Sequence, residues 1–433
     1  MIATLIISIV TFISITLSIL FFPSITIKEK RISLYWVIAL LGAIVLVATT
    51  LVPINELGNS LFSNSEINPL KILVLFFSMT LLSIFLDEAG LFHYLANKAL
   101  KLAKNNQYIL FIVLYFLTAS LTVFTSNDVV ILTFTPFICF FCKNAKVKPV
   151  PYLVAEFAAA NTWSMMFIIG NPTNIYLATS ANISFIEYFK VMAIPTIACG
   201  LIELLIILLI FHKSLKEKMD ITIDDYKIED KLELIFGILH LGVCLVLLVI
   251  SNYIHFEMWL IALGSALSLF MAILISRIIR KKNLRKLPTT FKKLPWQLVP
   301  FILSMFTIVV GLNYQGISAK IGEFFGNDLL IIKYGASSFL ASNIINNIPM
   351  SILYSNLCNT LSGSSYLKAV YASIIGSNIG AFLTPLGALA GIMFTSLLDA
   401  YQVKYGFKEF VKYGLIVSIP VLACALLILF LFI

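Results

Sequence analysis

The sequence predicts an all-α polytopic membrane protein of two inverted halves, with about ten spans, two re-entrant hairpins and two broken helices. Three observations lead there. Apolar runs long enough to cross a bilayer recur from end to end of the 433 residues. Charged residues make up 12% of the chain against 60% hydrophobic, and the mean hydropathy is +1.00; a soluble chain carries roughly twice that charged fraction. Polar clusters at membrane depth occur twice, in the same order.

Spans are expected at 1–22, 34–54, 70–87, 149–178, 191–211, 232–251, 258–276, 296–313, 369–398 and 413–433. The first has no basic n-region and no small-residue cleavage site, so it reads as a retained span rather than a signal peptide. Two apolar stretches remain, 107–142 and 334–358. If each enters and leaves on one side, 25 of the 30 Lys and Arg fall on a single face. By the positive-inside rule that face is cytoplasmic, with both termini outside. A full crossing at 334–358 would move the 399–412 loop across and spoil the bias. The densest basic run, "RIIRKKNLRKLPTTFKKLPW", follows an apolar span, and membrane retention explains it without nucleic acid.

The two leftover stretches share a design. "LTASLTVFTSNDVVILTFTPF" carries Ser126, Asn127 and Asp128, with Pro136 beyond; "SFLASNIINNIPMSILY" carries Ser342 and Asn343, with Asn346, Asn347 and Pro349 beyond. Each is followed by an apolar run of about 30 residues, some 45 Å as a straight helix and too long for one bilayer crossing. Both runs contain breaks, "IIGNPTNIYL" and "NIGAFLTPLGALAG". The first repeat is therefore placed at 1–212, with hairpin 107–142 and broken span 149–178. A connector follows at 213–231, and the second repeat occupies 232–433, with hairpin 334–358 and broken span 369–398.

Inverted repeats with discontinuous helices meeting near mid-membrane indicate a secondary transporter working by alternating access; a channel needs no such mirrored cradles. The chain has no P-loop and no nucleophile or acid–base constellation, so an enzyme is not expected. Cys139 and Cys142 form a CxxC inside "FTPFICFFC", but with no histidine or acid pattern around them the six cysteines read as small buried hydrophobes.

The motifs "SIFLDEAGLFHYLA", "SNDVVILTFTP", "SFLASNIINNIP", "IGSNIGAFLTPLGALAG" and "IVSIPVLACALL" stand in the order seen in the ion transporter superfamily. From residue 34 onward the chain resembles that superfamily. It is nearest the branch of arsenite-efflux permeases and NhaD-type antiporters, and related to divalent anion/sodium symporters. The resemblance implies a multi-pass protein of a bacterial or archaeal cell membrane that meets lipid and a small inorganic or organic solute. It implies a homodimer, and an ATPase subunit should the chain serve an arsenite pump. Arsenite or antimonite efflux coupled to an ion gradient is the leading expectation. The alternatives are sodium-coupled di- or tricarboxylate transport, other anion transport, and sodium/proton antiport. The sequence departs from the arsenite permeases at Asn161 and Asn378, where they carry acids.

Ser126, Asn127, Ser342 and Asn343 are expected at the hairpin tips, as ligands for solute or coupling ion, or as helix caps. Asn346 and Asn347 share the second stretch, where one of them could instead bridge hairpin to scaffold. Asn171, Thr173 and Asn174 mark the first break and Thr384 the second, with Asn161 and Asn378 lining the same cavity. Asp128 is the only acid of the first hairpin, an expected proton or sodium site and also a candidate cap. With Asp128, the coupling-ion set comprises Ser126, Asn127, Asn174, Ser342 and Asn343. No cofactor is expected beyond a bound sodium ion or a transported proton.

Overall fold

The computed structural model of the chain describes residues 1–21, 24–27, 30–62, 68–219, 228, 230–251, 253–284 and 286–433. Helix α1 (Ile2–Phe21) leads into a two-stranded antiparallel ribbon, β1 (Ser24–Ile27) with β2 (Lys30–Ser33), in a region expected as a loop. Then come α2 (Leu34–Ala48), α3 (Ile54–Phe62), α4 (Pro69–Glu88) and α5 (Leu91–Ala103). A hairpin of α6 (Gln107–Phe124) and α7 (Asn127–Asn144) follows. The first broken span is α8 (Val150–Trp163), two 3-10 turns and α9 (Pro172–Ser180), and α10 (Phe185–Phe211) completes this group.

The remainder opens with α11 (Lys231–Ile250), α12 (Met258–Ile279), α13 (Lys286–Lys292), α14 (Leu298–Tyr314) and α15 (Ile317–Phe325). A second hairpin, α16 (Leu330–Ile345) and α17 (Asn347–Cys358), precedes the second broken span, α18 (Gly363–Gly380) and α19 (Leu389–Ala400). The last helix is α20 (Phe407–Phe432).

Local chemistry explains the boundaries. Asn68, Asn106, Ser126, Asn171, Asp230 and Asn346 each accept N–H bonds in the first turn of the helix they open. Ser184 and Glu187 form a reciprocal box at α10. Among the described residues seven helices are long and apolar enough to cross a bilayer, or eight if the pair α14–α15, bent by 76°, counts as one span. The expected span 34–54 stops early: α2 has 15 residues, and the chain turns at Thr50 (φ 57) before the more polar α3. Outward faces are apolar; Ile235, Leu239, Val243 and Val246 form one exposed stripe on α11. Lipid is the solvent that such a stripe requires.

Each hairpin is closed at its open end by one tyrosine. The Tyr152 ring sits between Phe111 of α6 and Phe141 of α7, at 5.9 and 6.1 Å, and its hydroxyl donates to Gln107 Oε1. Tyr334 donates to the Leu357 carbonyl and packs on Tyr354. The open end of α6–α7 lies at the C-terminal end of α10, where Tyr108 donates to the His212 carbonyl. The open end of α16–α17 leads into α18, whose Tyr366 donates to the Ser180 carbonyl, just before α10 begins. Since α10 has 27 residues, about 40 Å of helix, the hairpins open toward opposite ends of it.

Close backbone contact fixes α16 on α18. A Cβ at Gly376 would lie 2.1 Å from the Gly335 carbonyl oxygen, and one at Gly380 would lie 2.7 Å from that of Phe339. Small residues permit this approach, which lipid cannot drive by itself. At the lysine-rich face charges tie α4, α11, α12 and α13 together. Arg277 forks onto Glu233 with two bonds of 2.7 Å, Arg280 pairs with Asp230, and Lys293 pairs with Glu88. Partial burial opposes the charge on Asp230, but bonds from Arg280, Lys282 and the Glu233 N–H hold its carboxyl well below the usual carboxylate range. Glu88, at the end of α4, also accepts from Thr290 and so holds α13.

Gly376→Ala should cost about 1–3 kcal/mol, because the carbonyl it meets is backbone and cannot swing away. Gly264→Ala, with nothing within 4 Å of the added carbon, should cost nothing. Thermal unfolding of both variants in detergent makes the comparison; equal melting temperatures would show that the α16–α18 contact yields freely.

Candidate functional site

The tip of the first hairpin is the short link between α6 and α7. Ser126, in extended backbone, accepts from the Val129 N–H and so caps α7. Asn127 accepts from the Asp128 N–H and donates to Asn161 Oδ1 at 3.1 Å, while Asn161 donates to the Phe157 carbonyl. Asp128 is 6% exposed, in the first turn of α7, where the helix end favours negative charge. Among the described residues no side-chain donor meets its carboxylate, which is within electrostatic reach of Tyr35 on α2.

The first break is held by side chains. Asn171 caps α9 by accepting from the N–H and hydroxyl of Thr173, both at 3.1 Å. Asn174 donates to the carbonyls of Ser164 and Phe167, which the interrupted helix leaves open. Asn378, from α18, enters this cluster. Its oxygen accepts from Ser164 (2.9 Å) and Asn171 (3.0 Å), and its nitrogen donates to Asn174 (2.6 Å) and Ile374 (2.8 Å). Ser377 donates to Thr173 beside it. Every hydrogen-bonding position of the Asn378 amide is filled, and the two broken spans meet there.

The second hairpin corrects one expectation. Its tip is at Asn346, not at Ser342–Asn343, which lie in the last turns of α16. Asn346 has φ 71 and ψ 154, a backbone state costing on the order of 1–3 kcal/mol for a residue with a Cβ. It is held there from three sides. Its oxygen accepts from the Ile348 N–H, its nitrogen donates to the Leu386 carbonyl, and the next N–H, of Asn347, donates to the Gly387 carbonyl at 3.1 Å. Asn343 reaches sideways from α16 into the second break. It donates to the Gly380 carbonyl at 2.9 Å and accepts from the N–H and hydroxyl of Thr384 at 3.1 and 2.7 Å. Ser342 is turned back onto the Phe339 carbonyl.

The thirteen expected site residues thus sort by occupation. Ser126, Asn127, Asn161, Asn171, Asn174, Asn343, Asn346, Asn378, Thr173 and Thr384 are committed to holding the breaks or tips, and Ser342 is bonded within its own helix. Among the described residues Asn347 Oδ1 is buried with no partner, and the Asp128 carboxylate has no side-chain donor. Those two groups have valences to offer. Such a centre is built of amides, hydroxyls and one acid, suited to a small polar solute or a monovalent cation. Among the described residues no group of three or more His, Cys, Asp or Glu comes together. Ser164 and Ser377 are not singled out by the sequence, although each is a near neighbour of a candidate, Asn161 and Asn378. Glu203 is paired within the protein, with Tyr115 donating to one oxygen at 2.9 Å and Thr162 to the other.

Hairpins and broken spans converging on a buried polar centre, inside an apolar helix bundle, define a membrane transporter. The chain belongs to the citrate transporter family (CitMHS), whose profile matches residues 24–357. It is 25% identical over 364 residues to the arsenical pump membrane protein of Escherichia coli K12, covering 80% of this chain and 83% of that one. An uncharacterised transporter of Synechocystis sp. is 23% identical over 429 residues, with 91% of each chain covered. The fold is similar to the YdaH transporter of Alcanivorax borkumensis (TM-score 0.58, 14% identity, 99% of this chain and 97% of that one). It is also similar to MtrF of Neisseria gonorrhoeae (TM-score 0.57, 13% identity, 100% and 94%).

Asn378→Ala should unfold at a lower temperature than Asn347→Ala. The first orphans buried partners on both broken spans, at about 1–3 kcal/mol each, whereas the Asn347 oxygen has no protein partner to lose. Identical thermal shifts in detergent would mean that the meeting of the spans does not depend on this amide.

Proposed function

We propose that the chain is a secondary active transporter working by alternating access, with inverted repeats at 1–212 and 232–433 about the connector 213–231. The observation that carries this reading is the junction at Asn378. Two interrupted helices share one amide there, and each has a hairpin hydrogen-bonded to it, Asn127 on Asn161 and Asn343 on Gly380 and Thr384. Mirrored cradles of this kind expose one site to each side in turn. The hairpins opening toward opposite ends of α10 support the inversion. With the lysine-rich face cytoplasmic, both termini lie outside a bacterial or archaeal cell membrane.

For the solute we propose arsenite or antimonite, its export coupled to an ion gradient. Arsenite at neutral pH is a small uncharged trihydroxide, and the residues gathered at tips and breaks are amides, hydroxyls and one acid, without Lys or Arg. A polyanion bound there would meet Asp128 with no cation to offset it. The relatives named arsenical pump membrane proteins agree with this choice. The description of the family as citrate transporter favours the second reading, a carboxylate accompanied by sodium ions that would supply the missing charge. A homodimer, and an ATPase subunit in the arsenite case, belong to the proposal as partners.

Proteoliposomes holding the purified chain, offered arsenite, citrate or sodium under imposed proton or sodium gradients, distinguish these readings. Asp128→Asn keeps shape and hydrogen bonding but removes the charge. It should lower gradient-driven flux about tenfold or more while the protein still inserts, as expected of an acid at membrane depth that couples transport. Unchanged flux and unchanged pH dependence would leave Asp128 as a helix cap.

Single cysteines placed in 143–148 and in 359–368 should label from opposite sides of the membrane. Labelling from one side would end the inverted-repeat reading.

A further inference from the structure

Glu156 is a buried acid with no role in the account above. It sits on α8, 2% exposed, and both of its oxygens face the same hydroxyl, that of Thr135 on α7, at 2.9 and 3.1 Å. A hydroxyl has one proton, so one oxygen is always without a donor. Glu203, another deeply buried acid on this side, meets two hydroxyls, those of Thr162 and Tyr115, the latter also directed at the Gly200 carbonyl.

Among the described residues no cation is paired with Glu156. From α7 the titratable neighbour is Cys139, within electrostatic reach. On α8 itself Tyr152, one turn before, donates to Gln107; on α6 and α10 Tyr115 and Glu203 bond each other, and Cys199 donates to the Val421 carbonyl. The polar groups of α18 on this side are Ser373, Ser377 and Asn378, all bonded. A carboxylate withdrawn from water needs a cation or several donors, and Glu156 has neither. A proton satisfies it instead.

A route for that proton is built into α7. Asp128, Thr135 and Cys139 stand at offsets of 0, 7 and 11 residues, within about 20° of one helical stripe. Cys139 lines a cavity of about 950 Å³ at the lysine-rich face, between the ends of α7 and α8 and the 399–412 loop, with Lys143, Lys148, Lys404 and Glu409 at its wall. Water at that wall is one helical turn from Thr135. In the other direction along α8, Asn161 is five residues on and holds Asn127, the neighbour of Asp128.

We propose that Glu156 is a proton-binding site, loaded from the cavity at the lysine-rich face, and that Thr135 passes its charge state to the first hairpin. Ionised, Glu156 requires the Thr135 hydroxyl as a donor and ties α7 to α8. Once water in the cavity has delivered a proton to the carboxylate, the acid is itself a donor. The Thr135 hydroxyl can then turn to a carbonyl of its own helix, as the hydroxyls of Thr125 and Thr133 do. No bond other than O–H forms or breaks. Protonation thereby removes one tie between α8 and the hairpin that carries Asp128, leaving those of Asn127 to Asn161, Tyr152 to Gln107 and Trp163 to Tyr115. This inference rests on reading the chain as a secondary transporter, but its first test does not.

That test is infrared difference spectroscopy of the full chain in lipid, stepped in pH. A protonated-carboxyl component should titrate in the native protein, vanish in Glu156→Gln and persist in Glu203→Gln. Thr135→Val, which removes the donor to the ionised form, should move the titration of that component to higher pH. A band unaltered in Glu156→Gln, or a titration unmoved in Thr135→Val, would overturn the proposal. In proteoliposomes, Glu156→Gln should cut flux driven by a pH gradient about tenfold while solute counterflow stays within about twofold of native, the pattern of a lost coupling proton. Equal loss of both, in a protein that unfolds at a lower temperature, would make Glu156 a packing residue. A native protein that moves no solute would defeat the transporter reading and leave the infrared result to decide on Glu156.

Discussion

Lipid offers no hydrogen bonds, and that constraint governs this chain. Wherever a membrane helix stops short, its open N–H and C=O groups must find partners within the protein or the break cannot exist. Both broken spans answer with side-chain amides. At the first, Asn171 and Asn174 take up what the 3-10 turns leave open; at the second, Asn343 and Asn346 reach across from the neighbouring hairpin. The asparagines that make the sequence look costly in a membrane are the groups that make its interruptions affordable. Their cost and their function are one fact.

The same constraint links the two halves. Asn378 is contributed by α18, yet three of its four partners belong to the first broken span: Ser164, Asn171 and Asn174. Separating the spans would leave several buried polar groups unsatisfied at once. The junction therefore acts as a fixed point, and any change of access has to arise from elements joined to it by fewer bonds. An amide suits this task because it donates and accepts on one rigid plane, whatever the pH. An acid at the same place would make the junction itself sensitive to protonation.

How much of this could be read in the sequence depends on distance along the chain. Hairpins, breaks and the first tip are local: Ser126 and Asn127 are followed at once by a helical apolar run, and Gly170–Pro172 cannot continue a helix. The second tip lies three to four residues beyond its expected place because "SNIINN" offers two Ser/Asn clusters, and only the contacts of Asn346 with Leu386 and Ile348 select the strained one. The early end of α2 was hidden because Leu51, Val52 and Ile54 keep hydropathy high past the turn. Pairings such as Thr135 with Glu156, Tyr115 with Glu203 and Asn378 with Asn174 join residues 21, 88 and 204 positions apart. Nothing in an isolated sequence marks such partners, so the acids were visible and their settings were not.

The tips of the two hairpins are not held equally. The second is bonded to its break through Asn343 to Gly380 and to the N–H and hydroxyl of Thr384, through Asn346 to Leu386, and through the Asn347 N–H to Gly387. Its backbone also lies in contact with α18 along the Gly335–Gly376 seam. Among the described residues the first is joined to its broken span at the tip by the bond from Asn127 to Asn161, and deeper down by Thr135 to Glu156, Trp163 to Tyr115 and Tyr152 to Gln107. A hydrogen bond between uncharged groups contributes about 0.5–1.5 kcal/mol net, so freeing the tip of the first hairpin costs roughly one such bond and freeing the second costs several. The hairpin whose tip has fewer bonds is also the one that carries Asp128 in its first turn and meets Glu156 through Thr135. The less firmly held tip and the buried acid thus belong to one element.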